Sequence, residues 1–83
     1  MENTILLQQI KGGHPEAFKQ LVDQYHHKVI NTCYGFVHNK EDAEDIAQDT
    51  FIKAFNNLRK YDQGRSFKNW IYSIAANTCK NHF

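Results

Sequence analysis

Proline occurs once in these 83 residues, at Pro15, glycine four times, and cysteine twice, at Cys33 and Cys79. No segment alternates apolar and polar residues as a half-buried strand does, and past Pro15 no proline interrupts a helix. Two cysteines outside any CxxC spacing exclude a disulfide framework and a zinc ribbon; one disulfide between them stays open. No run of eighteen apolar residues exists, which excludes a membrane-spanning helix. The start lacks the basic segment and long apolar run of a signal peptide, so reduced cytosolic thiols are expected. No H-E-x-x-H, E-x-x-H or nucleophile elbow is present, and Gly12-Gly13 alone makes no phosphate loop. His26 and His27 adjoin, but helical neighbours point about 100° apart and chelate poorly. Nothing marks a catalytic group, and neither a metal nor a cofactor is expected.

What the chain does have is charge sorted by position. Its net charge is only +1. Residues 1–49 hold four bases and eight acids, a balance of −4, while residues 50–83 hold six bases and one acid, a balance of +5. Such asymmetry suits two partners of different character, although two solvated helix faces would look the same.

Apolar spacing predicts an all-α chain, a compact bundle of three main helices plus a short N-terminal helix. The short helix runs from about Asn3 to Lys11, with Ile5, Leu6 and Ile10 inward, and ends at Gly12-Gly13. The second starts at Pro15, a favoured first-turn residue, and leaves at His38-Asn39-Lys40. Phe18, Leu21, Val22, Tyr25, Val29, Ile30, Cys33 and Val37 form its apolar side, where Cys33 reads as a small buried hydrophobe. Gly35 inside it argues against a straight, unbroken helix. The third runs from about Glu41 to Leu58, with acids crowding its start and Arg59-Lys60 at its end, as the helix dipole favours. Tyr61 to Arg65 is a loop, and Ser66 caps a fourth helix that still looks helical at Phe83. That uncapped end suggests a domain cut from a longer chain.

Two faces exceed what the core needs. On the third helix, Ala43, Ile46, Ala47, Thr50, Phe51, Ala54 and Leu58 share the core side. Asp45, Gln48, Asp49 and Ile52 fall opposite. Carboxylates and an amide around one exposed isoleucine fit a protein-docking patch; a solvated acidic face is the alternative. On the fourth helix, Phe67, Trp70, Ile71, Ile74, Ala75 and Thr78 face inward, while Asn69, Ser73, Asn77 and Lys80 line the outside. Upstream, Arg59, Lys60, Arg65 and Lys68 interleave with Tyr61, Phe67, Trp70 and Tyr72. Cations track phosphates and aromatic rings stack on unpaired bases, so this end reads as nucleic-acid-binding or as a structural aromatic cluster.

Three segments carry a resemblance over essentially the whole chain. They are Pro15-Glu16-Ala17-Phe18 with Leu21-Val22 and Tyr25; the run from Asp42 through Phe55 (DAEDIAQDTFIKAF); and the run from Phe67 through Asn77 (FKNWIYSIAAN). With them the chain resembles region two, the promoter-melting helical domain, of bacterial RNA polymerase sigma factors of the extracytoplasmic-function type. The resemblance implies a non-enzymatic, cytoplasmic transcription initiation factor. It implies that Asp45, Gln48 and Asp49, with Ile52 beside them, dock on the clamp helices of the polymerase's largest catalytic subunit. It implies that the loop and fourth helix engage the nontemplate strand of the −10 promoter element and hold an extruded base. Tyr61, Asp62 and Ser66 fall in that loop, and Asn77 and Lys80 on that helix. Base extrusion costs a few kcal/mol, which the receiving groups must offset. An anti-sigma factor is a further family-level partner that no residue here marks.

Two positions depart from the family pattern. His14 stands where relatives often carry Asp, a better helix cap. Ala76 stands where many carry Arg, which removes a phosphate contact. The second, −35-reading domain of the family is absent from these residues. A groove-reading duplex binder, a helical adaptor and a metal-carboxylate bundle remain as rival readings of the residues alone.

Overall fold

The computed structural model describes residues 4–61 and 64–82. Four α-helices follow one another: α1 Thr4–Lys11, α2 Phe18–Val37, α3 Lys40–Asn56 and α4 Phe67–His82. Short 3-10 turns, Pro15–Ala17 and Leu58–Lys60, precede α2 and follow α3. No strand occurs among the described residues, as the sequence predicts. The expected starts shift slightly. Pro15 opens the 3-10 turn, with α2 proper beginning at Phe18, and Leu58 falls in the second turn instead of α3.

Sequence chemistry accounts for the ends. After α1, Gly13 takes a φ of 102°, the left-handed region open to glycine. His14 makes no side-chain cap bond; its Nδ1 sits 3.2 Å from Glu16 Oε1. The exposed Glu16 carboxyl is held below its ordinary pKa, mainly by its own backbone N–H and further by His14. α2 ends at His38, whose φ is 56° and whose N–H donates to the Tyr34 carbonyl at 2.8 Å. Asn39 then caps α3 by accepting from the Asp42 N–H at 3.0 Å. Ser66 caps α4 as expected, accepting from the Asn69 N–H at 3.3 Å.

Two expectations are corrected. α1 does not turn Ile5 inward: Ile5 is 72% exposed, while Leu7 is buried. Three consecutive apolar residues spread over more than half of the helix circumference, so only one can face the core squarely. Gly35 does not break α2, which runs unbroken over 20 residues. Glycine lowers helix propensity locally, but the buried stripe Phe18, Leu21, Tyr25, Val29 and Cys33 holds the helix by packing.

The core sits where α2, α3 and α4 pack on one another, and α1 covers one edge through Leu7. Leu21, Val29, Ala43, Ala47, Ala54, Ile71 and Ala75 have no exposed surface. Alanines along α3 let its neighbours approach closely. Thr50 is the polar exception, and its Oγ1 donates to the Ile46 carbonyl at 2.8 Å. No described buried side-chain polar atom lacks a partner.

Gly35 gives a direct test. A Cβ there would meet nothing within 4 Å. Gly35→Ala should therefore stabilise the fold by about 0.5–1 kcal/mol, read as a higher urea midpoint. A lower midpoint would mean that α2 depends on a bend at this residue.

Candidate binding faces

The expected acidic face is present but divided. Asp45, Gln48, Asp49 and Ile52 are all exposed, with Ile52 at 52%. Gln48 and Ile52 line a groove of about 520 Å³ between α2 and α3, walled by Phe18, Val22, His26, Glu44, Phe51, Phe55 and Asn56. Asp45 and Asp49 are not in its lining; they stand on the outer side of α3. The arrangement is an apolar slot with a carboxylate rim, which suits an apolar anchor carrying basic neighbours.

Sequence reasoning missed Phe55. It is 42% exposed, lines this groove and meets Phe18 edge-on at 5.1 Å. Its signal was available, since Phe55 lies three residues after Ile52 and shares that side of α3. Covering the exposed halves of Ile52 and Phe55 would contribute about 1 kcal/mol each to docking.

The basic end resolves into two clefts that share Trp70. One, of about 510 Å³, is lined by Arg65, Ser66, Asn69, Trp70 and Ser73. The other, of about 340 Å³, is lined by Lys53, Asn57, Lys60, Trp70, Ile74, Asn77, Thr78 and Asn81. Among the described residues, no carboxylate lines either one. Cations, amides and a half-buried indole are the groups that hold phosphates and unpaired bases. Ser73 donates its hydroxyl to the Asn69 carbonyl at 2.9 Å, so toward a ligand it acts chiefly as an acceptor.

The expected DNA residues do not all gather here. Arg65, Ser66, Asn69 and Ser73 share the first cleft, and Lys60 and Asn77 share the second. Arg59 instead lines a groove with Ile10, Lys11, Gly13, Pro15, Phe55 and Leu58. Lys68 sits 6.0 Å over the Tyr72 ring and lines neither Trp70 cleft. Lys80 is exposed on α4 outside both linings. Asp62 lies outside the described residues. Ala76 is half-buried and supplies no cation.

Tyr61 lies deeper than the other described residues expected to bind DNA. It is only 5% exposed, with its ring 4.9 Å from Trp70 and 5.6 Å from Phe67. Its hydroxyl donates to the Arg65 carbonyl, bridging the segment between the 3-10 turn and α4. The ring therefore buttresses the site from beneath instead of offering an open stacking face. Lys53, Asn57 and Asn81 were missed because only the packing of α3 on α4 brings them together. Lys53 Nζ donates to Thr78 Oγ1 at 3.3 Å across that seam.

Fold and faces define an all-helical binding domain with an apolar, acid-rimmed groove and a basic, aromatic flank. Among the described residues, no three His, Cys, Asp or Glu side chains converge on a metal-sized site. Residues 21–83 match the family model Sigma-70 region 2. The chain is 40% identical over 77 residues to the RNA polymerase sigma-H factor of Pseudomonas aeruginosa, covering 93% of this chain and 40% of that protein. It is 42% identical over 71 residues to the ECF RNA polymerase sigma factor SigW of Bacillus subtilis, covering 86% of this chain and 38% of the relative. Its fold matches an engineered region 2 of sigmaE, solved by NMR in complex with GTAAAA, with a TM-score of 0.90 and 36% identity over 99% of this chain and 85% of that one. It also matches CnrH, solved in complex with the cytosolic domain of CnrY, with a TM-score of 0.82 and 31% identity over 93% of this chain and 50% of that one. The chain belongs to the sigma-70 region 2 family, of the extracytoplasmic-function (ECF) type. It spans about 40% of the length of these curated relatives.

Tyr61→Phe isolates the buttress. It keeps the ring and removes the hydroxyl that satisfies the Arg65 carbonyl. A stability loss of about 1 kcal/mol by chemical denaturation is expected. No change would mean that the bond adds nothing to the fold.

Proposed function

We propose that this chain is the polymerase- and promoter-binding domain of a transcription initiation factor and has no catalytic role. Through Asp45, Gln48, Asp49 and Ile52, α3 docks on the clamp helices of the polymerase's largest catalytic subunit. The α4 flank and the segment before it engage the nontemplate strand of an opened −10 element. The observation that carries this reading is the pair of clefts on either side of Trp70, which Lys53, Lys60 and Arg65 line with amides and, among the described residues, without a carboxylate. Phosphate oxygens meet Lys53, Lys60 and Arg65, while base edges meet Asn69, Asn77 and Asn81. Within this set, Lys60, Arg65, Ser66, Asn69, Ser73 and Asn77 bind at the clefts, and Arg59, Lys68 and Lys80 add longer-range attraction. Tyr61 holds its neighbours in place, and Asp62 stays in the proposed DNA-binding set by its place in the sequence alone.

The sigmaE relative solved with GTAAAA supports a short oligonucleotide as ligand. The relatives' greater length supports residues 1–83 as one domain of a longer factor, whose −35-reading part lies elsewhere. No described helix is long and apolar enough to cross a membrane, and the factor acts with polymerase in the bacterial cytoplasm. An anti-sigma factor is a further partner; CnrH held with the cytosolic domain of CnrY supports protein docking on this fold.

Fluorescence anisotropy with labelled GTAAAA tests the DNA half. Single strand should bind more tightly than the matching duplex, and its affinity should fall linearly with log salt at about 0.7 per phosphate contact. Equal binding to any duplex would favour a groove reader, and no binding at any salt a protein adaptor. For the polymerase half, Asp45→Lys or Asp49→Lys should reduce core-polymerase capture several-fold and leave the circular dichroism unchanged. Undiminished capture by both variants would remove α3 from the interface.

A further inference from the structure

The groove lined by Lys11 and Arg59 belongs to neither proposed interface. It lies where α1 and the turn after it meet the end of α3, and holds about 530 Å³. Its floor is apolar: Leu58 is 5% exposed, Ile10 is half-buried, and Phe55 presents its open side. Its two charges come from opposite halves of the chain. Lys11 ends α1, in the half with the acidic balance, and Arg59 sits in the 3-10 turn after α3. Packing puts both into one lining, and both are exposed. Among the described residues, no carboxylate lines this groove, and neither cation belongs to an ion pair.

We propose that this groove docks an acidic, amphipathic segment of a protein partner. An aliphatic side chain of the segment enters between Ile10, Phe55 and Leu58. Carboxylates beside it meet the Lys11 ammonium and the Arg59 guanidinium. The desolvated anchor supplies affinity, and the charges supply orientation and discrimination. Arg59 suits a carboxylate through two parallel hydrogen bonds, while Lys11 acts as a point charge.

The lining chemistry separates this occupant from nucleic acid. Both Trp70 clefts set amides beside their cations, Asn69 in one and Asn57, Asn77 and Asn81 in the other. The Lys11–Arg59 groove has no amide or hydroxyl side chain in its described lining, and so nothing there reads a base edge. Its largely aliphatic floor fits a leucine-like side chain. The acid-rimmed groove shares Phe55 as a wall but carries Glu44. An acidic segment is therefore repelled on one side of Phe55 and held on the other, which fixes its position. The long-range pull of Arg59 on DNA needs no contact in this groove.

The test is an NMR titration of the isotope-labelled chain. The probe is a short synthetic helical peptide with leucines along one face and glutamates beside them. Control peptides carry glutamine or lysine in place of glutamate. The glutamate peptide should shift the amide signals of Ile10, Lys11, Leu58 and Arg59. It should bind several-fold more tightly than the glutamine peptide and weaken with salt. The lysine peptide should leave those signals in place. Lys11→Glu should weaken the glutamate peptide several-fold, while anisotropy with labelled GTAAAA stays unchanged. Lys11 is exposed, so the circular dichroism of this variant should match that of the unmodified chain. Absence of shifts at these residues, or equal binding of the glutamate and glutamine peptides, would overturn the proposal. So would shifts confined to the Trp70 clefts, or movement of the groove signals by GTAAAA instead, which would make the groove part of the DNA path. None of these outcomes alters the capture of polymerase through Asp45 and Asp49, so the two readings fail separately.

Discussion

The packing of α3 against two helices at once is the constraint on which the rest depends. One stripe of α3, Ala43, Ile46, Ala47, Thr50, Phe51 and Ala54, is buried against α2 on one side and α4 on the other. Small residues at Ala43, Ala47 and Ala54 allow that close double contact. The same docking leaves two seams. Along the α2 seam, Phe51, Ile52 and Phe55 form an apolar groove. Along the α4 seam, Lys53 and Asn57 join Lys60, Asn77 and Asn81 around Trp70. Loss of core contact by α3 would therefore remove both sites together.

Placing both sites on one small domain raises an electrostatic question, since acids and bases so near each other could cancel. Asp45 and Lys53 are eight residues apart on α3, about 12 Å along the axis. That exceeds the Debye length of about 8 Å at physiological salt, so solvent largely screens this pair, whereas Asp49 and Lys53 lie one turn apart, about 6 Å along the axis and within that length. The described ion pairs do not join the sets either: they link His14 to Glu16 and His82 to Asp42, the latter at 3.9 Å. Asp45 and Asp49 thus keep their charge for a partner. A domain of near-zero net charge can hold two oppositely charged binding faces as long as their acids and bases do not pair with one another.

The sequence made legible whatever depends on local periodicity. The α3 core stripe, the Asn39 exit, the Ser66 cap and the outward stripe Asn69, Ser73 and Asn77 all follow from spacing on a single helix. What was not legible depends on which helix lies alongside. Ile5 and Leu7 are equally apolar, and only docking of α1 selects Leu7 for burial. Lys53 belongs by sequence to the acidic helix and by packing to the basic cleft. Arg59 and Lys68 are as basic as Lys60, yet helix rotation turns them toward other neighbours.

The aromatic cluster beneath the basic flank shows how core and site are joined. Tyr25, Tyr61 and Trp70 all pack against Phe67, Tyr61 edge-on and the others tilted, with centroids 5.5, 5.6 and 5.7 Å away. Phe67 is 1% exposed, while Trp70, at the outer end of the cluster, is half-buried and walls both clefts. An indole fixed by two aromatic neighbours loses little further freedom when a base stacks on it, so a rigid core supports binding by pre-organisation. The same geometry makes Trp70 ambiguous in mutagenesis, because its truncation opens the core and blunts the site together. Roles on this flank are separable only at residues that touch a cleft without supporting the cluster. Lys60, Asn69 and Asn77 meet that condition, for each is exposed and none belongs to the core.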